Sequence, residues 1–159
     1  MRGIIYLLLI IFLFPSIVFG QTNNKIEIGY VENGVAVITY EQSKLLRTFE
    51  IQYGDTLQAS TLECIAVSED NYYLTAKLQN QNTNLITAQP LIKEGLKLFV
   101  AADNGGRVAH ACEGAPCSMC AFLIANGDII GCICREKDGR CNHRIIYLPG
   151  AYFDILNNL

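Results

Sequence analysis

The sequence predicts a small exported α+β domain with a cysteine-rich β-hairpin module at its carboxyl end. Three observations support this fold class: an apolar amino-terminal leader, a hydrophobic period that changes from two to three or four and back, and six cysteines crowded into the last third of the chain. The predicted architecture is a β-hairpin, one helix and a four-stranded antiparallel meander, followed by the small cysteine-rich hairpin.

Residues 1–20 have the pattern of a cleavable secretory signal peptide. A positive charge at the second residue precedes an uncharged apolar run, and Val18 and Gly20 are the residues at −3 and −1 of a cut before Gln21. A membrane-spanning helix needs about 20 apolar residues, and this run is shorter and holds Pro15 near its end. We therefore predict an extracytoplasmic protein (periplasm, surface or medium) without a transmembrane span after cleavage.

Length and charge limit the number of domains and the class of partner. With 12 basic and 15 acidic residues, the chain has a formal net charge of −3 and no basic stripe, which argues against nucleic acid as a partner. No other partner follows from the composition. The length suits one domain with a small appended module, which we place at residues 21–103 and 104–150, followed by a tail at 151–159.

The first elements are a hairpin and a helix. Asn33-Gly34 lies between two apolar-rich runs, residues 25–32 and 35–39, and both turn residues tolerate the positive φ of a type I′ turn. Apolar residues then recur at spacings of three and four, which predicts a helix over residues 40–53. Phe49 lies on the apolar face of that helix, so we expect it in the core.

From residue 60 onward the hydrophobic period is two, which indicates strands. We predict four of them, at residues 61–68, 72–79, 85–92 and 96–101, separated by clusters of turn-forming residues. Their alternation suits an antiparallel sheet with one face in water. Because proline cannot donate to a strand ladder, Pro90 indicates an edge strand or a bend at that position.

Six of the seven cysteines lie in the carboxy-terminal module. In an exported protein, an even number of closely spaced cysteines favours a disulfide framework. The module needs such a framework because about forty residues rarely bury enough apolar surface to fold alone. The candidate disulfide cysteines, whose connectivity stays open, are Cys112, Cys117, Cys120, Cys132, Cys134 and Cys141.

A second hairpin signal, Asn126-Gly127, bears on the pairing. A two-residue turn places Cys120 opposite Ile133, and a three-residue loop with a glycine bulge places it opposite Cys132. We favour the second register and predict a Cys120–Cys132 bridge. Cys132 and Cys134 should not bond to each other, because alternate residues of a strand point the same way.

A metal centre is the main alternative to disulfides. The spacing Cys117-x-x-Cys120 lets two thiolates hold one ion, and eight potential ligands are enough for two tetrahedral zinc sites. The candidate ligands are His110, Cys112, Cys117, Cys120, Cys132, Cys134, Cys141 and His143.

Two further chemistries compete for these cysteines. The run Cys112-x4-Cys117-x2-Cys120 resembles the cluster loop of plant-type ferredoxins, a resemblance that implies an iron–sulfur centre, although no cysteine lies at the long spacing beyond Cys120. Cys117 and Cys120 could instead form the active pair of a secreted thiol–disulfide oxidoreductase. No hydrolase or phosphate-binding motif is present. The preferred hypothesis is a non-catalytic binding or structural domain with no cofactor.

Overall fold

The computed structural model describes residues 24–147 and 150–159, so the predicted signal peptide lies outside the described residues. Within them the chain forms ten strands and two helices. In chain order they are β1 (Lys25–Glu32), β2 (Val35–Ile38), α1 (Gln42–Tyr53), β3 (Gln58–Ala66), β4 (Tyr72–Gln79), β5 (Asn84–Glu94), β6 (Lys97–Ala101), a short 3-10 turn (Asn104–Gly106), β7 (Ala109–Gly114), β8 (Cys120–Ala125), β9 (Asp128–Cys134), β10 (Cys141–Ile146) and α2 (Ala151–Asn157).

Most of the chain forms one antiparallel sheet of eight strands. The predicted meander is present as β3, β4, β5 and β6, and β6 pairs onward with β1 and then β2. At the other side, β7 pairs with β5 and β10 pairs with β7. The α+β class is therefore confirmed only in part: the fold is mainly β, with two short helices and a cysteine-rich hairpin, β8–β9.

Two of the strands in this sheet, β7 and β10, come from residues 104–150. β7 continues the strand pairing of residues 21–103 through backbone hydrogen bonds to β5, and β10 pairs with β7. The sequence gives no local signal for this pairing because β5 and β7 are separated by β6 and a turn. The division of the chain into two domains stays a prediction.

The helices cover one face of the sheet. α1 buries Leu45 and Phe49 completely, as the apolar face of the predicted helix requires. α2 packs against α1: the rings of Phe49 and Tyr152 lie 4.6 Å apart between centroids, and the Tyr152 hydroxyl donates a 2.8 Å hydrogen bond to the Leu45 carbonyl. The carboxy-terminal tail is thus a helix that closes the core.

Pro90 lies where β5 changes its partner. One edge of β5 pairs with β4 along most of its length. The other edge pairs with β7 as far as Ala88 and with β6 from Ile92 onward. On this edge no strand pairs with β5 between Ala88 and Ile92, so a residue without an N–H loses least hydrogen bonding there. Pro90 occupies that gap.

Candidate functional site

The β8–β9 hairpin packs on the sheet face opposite the helices. Phe122 and Ile129 of the hairpin contact a small core around Tyr73 and Ala88. Tyr73 is only 1% exposed. The prediction that this face of the sheet lies in water is therefore wrong at this place, because the hairpin covers it.

The register of the hairpin differs from both predicted alternatives. Asn126-Gly127 forms a two-residue turn with φ values of 52° and 76°, and Ala125 pairs with Asp128. A bulge then leaves Ile130 without a partner, which shifts the remaining pairs by one residue. Cys120 consequently lies opposite Cys134, and the predicted three-residue loop is wrong.

Three disulfides bond the cysteine-rich region together. Their Cα–Cα distances of 5.7, 6.0 and 6.0 Å are ordinary for disulfides. The predicted Cys120–Cys132 bridge is wrong, because these cysteines face the underlying sheet and not each other. The prediction that Cys132 and Cys134 do not bond to each other is confirmed. The bridges are Cys112–Cys132, Cys117–Cys134 and Cys120–Cys141.

Two of these bridges attach the hairpin to the main sheet. Cys112–Cys132 joins β7 to β9, and Cys120–Cys141 joins β8 to β10. The third bridge joins β9 to the segment before β8. The hairpin is therefore fixed to the sheet at both of its strands.

A polar cluster holds the tip of the hairpin. The Tyr73 hydroxyl donates a 2.7 Å hydrogen bond to Asp128 Oδ1, and the Asn71 side chain donates a 2.9 Å hydrogen bond to the Gly127 carbonyl. The Arg107 guanidinium lies 5.7 Å from the centre of the Tyr73 ring. Burial tends to raise the pKa of Asp128, but the hydrogen bonds from Tyr73 and the Ile129 N–H outweigh it, so this pKa lies below its usual range.

The two histidines lie together beneath the hairpin. The rings of His110 on β7 and His143 on β10 are nearly parallel, with 5.3 Å between centroids and 3.1 Å between His110 Nδ1 and His143 Nε2. His110 is buried, and its Nε2 has no hydrogen-bond partner among the described residues. Burial, and next the neighbouring His143, lower the pKa of His110, while Asp128 opposes them. A neutral ring fits this place, because a lone pair without a partner costs less than an N–H without one.

The side of the hairpin turned away from the sheet is apolar and exposed. Leu123 and Ile133 lie on the same face by register, and Leu123 packs across Gly131. Ile130, in the bulge next to Gly131, extends this surface, and these three side chains are between 44% and 55% exposed. Ile124 is also 44% exposed, but it pairs with the buried Ile129 and lies by register on the sheet side of the hairpin. We call Leu123, Ile130 and Ile133 the exposed hairpin surface.

A groove of about 340 Å³ lies between the hairpin and strands β4 and β5. Its lining combines charged side chains, Glu63, Lys77 and Arg135, with apolar ones that include the half-exposed Met119.

The sequence-based site residues fall into two groups in space. His110 and His143 contact each other, but in the described part of the chain no set of three possible ligands combines a histidine nitrogen with the cysteine sulfurs. Cys117 and Cys120, the candidate redox pair, belong to different bridges. Cys64, outside the module, has a free thiol whose pKa burial raises to about 12.

Sequence reasoning missed the polar cluster. Tyr73, Arg107 and Asp128 come from three separate segments, and nothing in their spacing links them. The one available signal was an aspartate directly after an Asn-Gly turn, which local capping of the backbone explains equally well. Asp128 does make that local bond, since it also accepts a 2.8 Å hydrogen bond from the Ile129 N–H.

No protein-family model, curated protein or solved structure matches this chain. Among the described residues, no helix has the length and apolar character needed to cross a bilayer.

Proposed function

We propose that this chain is a non-catalytic binding protein of an extracytoplasmic compartment, and that the exposed hairpin surface binds an extended segment of a partner protein. The observation that carries the proposal is the set of three large aliphatic side chains exposed on one side of a hairpin that three disulfides hold in place. Contiguous exposed apolar surface is often an interaction site.

The class of partner follows from the backbone of the hairpin as well as from its side chains. β8 and β9 form a sheet of their own, so each has an edge without a strand partner among the described residues. A polypeptide in extended conformation supplies both the backbone hydrogen bonds for such an edge and apolar side chains for Leu123 and Ile133. A lipid or a small apolar molecule supplies only the apolar contacts and no backbone hydrogen bonds.

The rigidity of the hairpin favours binding. The bridges and the bond from Tyr73 to Asp128 fix the strands before any partner arrives. A fixed surface loses less conformational entropy on association than a mobile loop does.

The disulfides support the proposed location and the absence of thiol chemistry. Three bridges in a chain of this size persist in oxidising compartments. An oxidoreductase of the kind considered above needs its two cysteines to bond to each other in the oxidised form, and Cys117 and Cys120 bond elsewhere. Mass spectrometry of the exported protein tests the location: we expect Gln21 at the amino terminus, and a mass that retains residues 1–20 would contradict export by cleavage.

Site-specific photo-crosslinking tests the binding surface. A photoreactive residue at Ile133 is introduced into the protein in its native host, crosslinked proteins are identified, and the identified partner is purified for affinity measurements. We expect Leu123→Lys and Ile133→Lys to abolish that binding without changing the melting temperature. Leu96→Lys is the matched control, because Leu96 is a 67% exposed leucine in the turn between β5 and β6, outside the hairpin.

Three outcomes contradict the proposal. Equal affinity of the hairpin and control variants would mean that the partner binds elsewhere. Crosslinks only between copies of this chain would replace the partner protein with self-association. Crosslinks to lipid would remove the polypeptide partner.

A further inference from the structure

Three of the six bridged cysteines bring their sulfur atoms close together, and a fourth is bonded to one of them. The Sγ atoms of Cys117, Cys120 and Cys141 all lie within 4.8 Å of one another. Cys134 is bonded to Cys117 and lies directly opposite Cys120 in the hairpin. A tetrahedral zinc ion with Zn–S bonds of about 2.3 Å holds its sulfurs about 3.8 Å apart. The spacing of the first three sulfurs is therefore close to that of thiolates on one ion, and Cys134 Sγ, which is not in that set, would have to move towards it once its bond to Cys117 is reduced.

The two loops that carry these cysteines are joined by hydrogen bonds that do not depend on the bridges. The Arg135 N–H donates to the Met119 carbonyl at 3.1 Å, and the Arg140 N–H donates to the Pro116 carbonyl at 3.1 Å. The Arg140 carbonyl in turn accepts a 2.8 Å hydrogen bond from the Ala115 N–H. These contacts would keep the loops together after the disulfides are reduced.

A carboxylate strengthens the same junction. Glu136 accepts a 3.0 Å hydrogen bond from the Ser118 N–H and a second bond from the Ser118 hydroxyl. These bonds lower the pKa of Glu136, with the hydroxyl as the larger cause. The loop from Cys134 to Cys141 is thus fastened to the loop from Cys117 to Cys120 at its start and at its end.

The surroundings of Cys134 suit a thiolate. The Glu136 N–H lies 3.4 Å from Cys134 Sγ in hydrogen-bonding geometry, and such a donor stabilises negative charge on sulfur. Gly139 lets the backbone close over this atom, because a Cβ at that position would lie 2.4 Å from Cys134 Sγ and 2.6 Å from the Pro116 carbonyl oxygen.

We propose that in the reduced protein Cys117, Cys120, Cys134 and Cys141 bind one zinc ion as four thiolates. Cys112 and Cys132, which form the separate bridge between β7 and β9, take no part. The histidine pair takes no part either, because its two rings bond to each other. The proposal does not depend on the binding function above. The same four sulfurs would form two disulfides in oxidising surroundings and would bind the metal in reducing surroundings.

The chemistry balances with a simple reductant. A water-soluble trialkylphosphine attacks one sulfur of each disulfide, water supplies the oxygen of the phosphine oxide, and each bridge becomes two thiols. Zn²⁺ then displaces the thiol protons into the solvent, so metal binding releases protons and weakens as the pH falls.

Metal titration of the phosphine-reduced full chain tests the site. With Zn²⁺ and a chromophoric competitor under exclusion of oxygen, we expect one tightly bound ion per chain. Co²⁺ in its place should give the absorption of a tetrahedral four-sulfur site, which reports the ligands without any mutation. Two tightly bound ions, no tight binding, or a Co²⁺ spectrum with nitrogen ligands would overturn the proposal.

Paired variants identify the ligands. The double variant Cys120→Ser and Cys141→Ser should lose tight binding, and its matched control, Cys112→Ser and Cys132→Ser, should keep one ion. His143→Gln should also keep it. If the control pair loses the ion, or if the first pair retains it, the assigned ligand set is wrong. Far-UV circular dichroism with and without zinc follows folding in each case.

Discussion

The Tyr73 hydroxyl and Asp128 Oδ1 are 2.7 Å apart, and this hydrogen bond joins the second strand of the meander to the tip of the cysteine-rich hairpin. The two residues are 55 positions apart in sequence, so the contact exists only in the folded chain. It is the one direct side-chain bond between β4 and β9 among the hydrogen bonds of the described residues.

Replacing Tyr73 with phenylalanine removes that bond and leaves the ring in place. We expect the free energy of unfolding to fall by about 1.5–3 kcal/mol, the usual net contribution of a hydrogen bond to a charged group, because Asp128 is ionised at neutral pH. Chemical denaturation with the disulfides intact measures it. Tyr147→Phe is the control, since Tyr147 is 72% exposed, and equal stabilities of the two variants would show that the bond contributes nothing.

The buried histidine predicts a pH dependence of stability. The pKa of His110 is lowered in the folded protein from its ordinary value of 6.5, by burial first and by His143 second. Below pH 6.5 the unfolded chain therefore binds a proton that the folded chain resists, so stability falls as the pH drops and is fully present above that value. The carboxylate of Asp128 opposes this lowering of the His110 pKa. Arg107 and Tyr73 lie beside Asp128, and none of these three side chains titrates between about pH 5 and pH 7.

Urea denaturation between about pH 5 and pH 7 measures this dependence. His110→Gln should flatten the profile in that range. His143→Gln, which leaves His110 buried, should keep most of the slope. A slope in His110→Gln equal to that of the unmodified protein would mean that another group is responsible.

The helix face offers a packing test. Phe49 is completely buried against α2, whereas Ile51 on the same helix is 36% exposed. Phe49→Ala should lower the free energy of unfolding by about 3–5 kcal/mol, because it leaves a cavity in the core. Ile51→Ala should cost much less. Thermal denaturation compares them, and similar losses would show that α1 packs by a different face.

Local chemistry made part of this fold predictable. Asn33-Gly34 and Asn126-Gly127 both form two-residue turns with positive φ, and the position of each turn is recognisable from two adjacent residues, although the three-residue loop favoured at the second was wrong. The disulfide pairing was not predictable, because two bridges join the hairpin to β7 and β10, whose place beneath it is set by the tertiary fold. The bulge at Ile130, which decides the face on which Cys132 and Cys134 lie, is not marked in the sequence either. The pairing of β7 with β5 was missed for a related reason: its partner strand is set by the tertiary fold.

The last prediction concerns the bridge that ties the hairpin to the sheet. Cys112–Cys132 links residues 20 positions apart, and the loop-entropy account gives such a bridge a stabilisation of about 3 kcal/mol. The double variant Cys112→Ser and Cys132→Ser should lose about that amount, with the other two bridges intact. Hydrogen exchange should also increase in β8 and β9, because the hairpin then keeps only one bridge to the main sheet.

Peptide mapping without reduction checks the connectivity of the variant before stability is compared. Cys64→Ala is the control, since Cys64 forms no bridge and its removal leaves all three disulfides in place. An unchanged melting temperature and unchanged exchange in the double variant would contradict a tethering role for this bridge. Faster exchange in the hairpin alone, with α1 and β1 unaffected, would place the effect where the bridge attaches, because α1 packs on the opposite face of the sheet and β1 lies in the sheet away from β7.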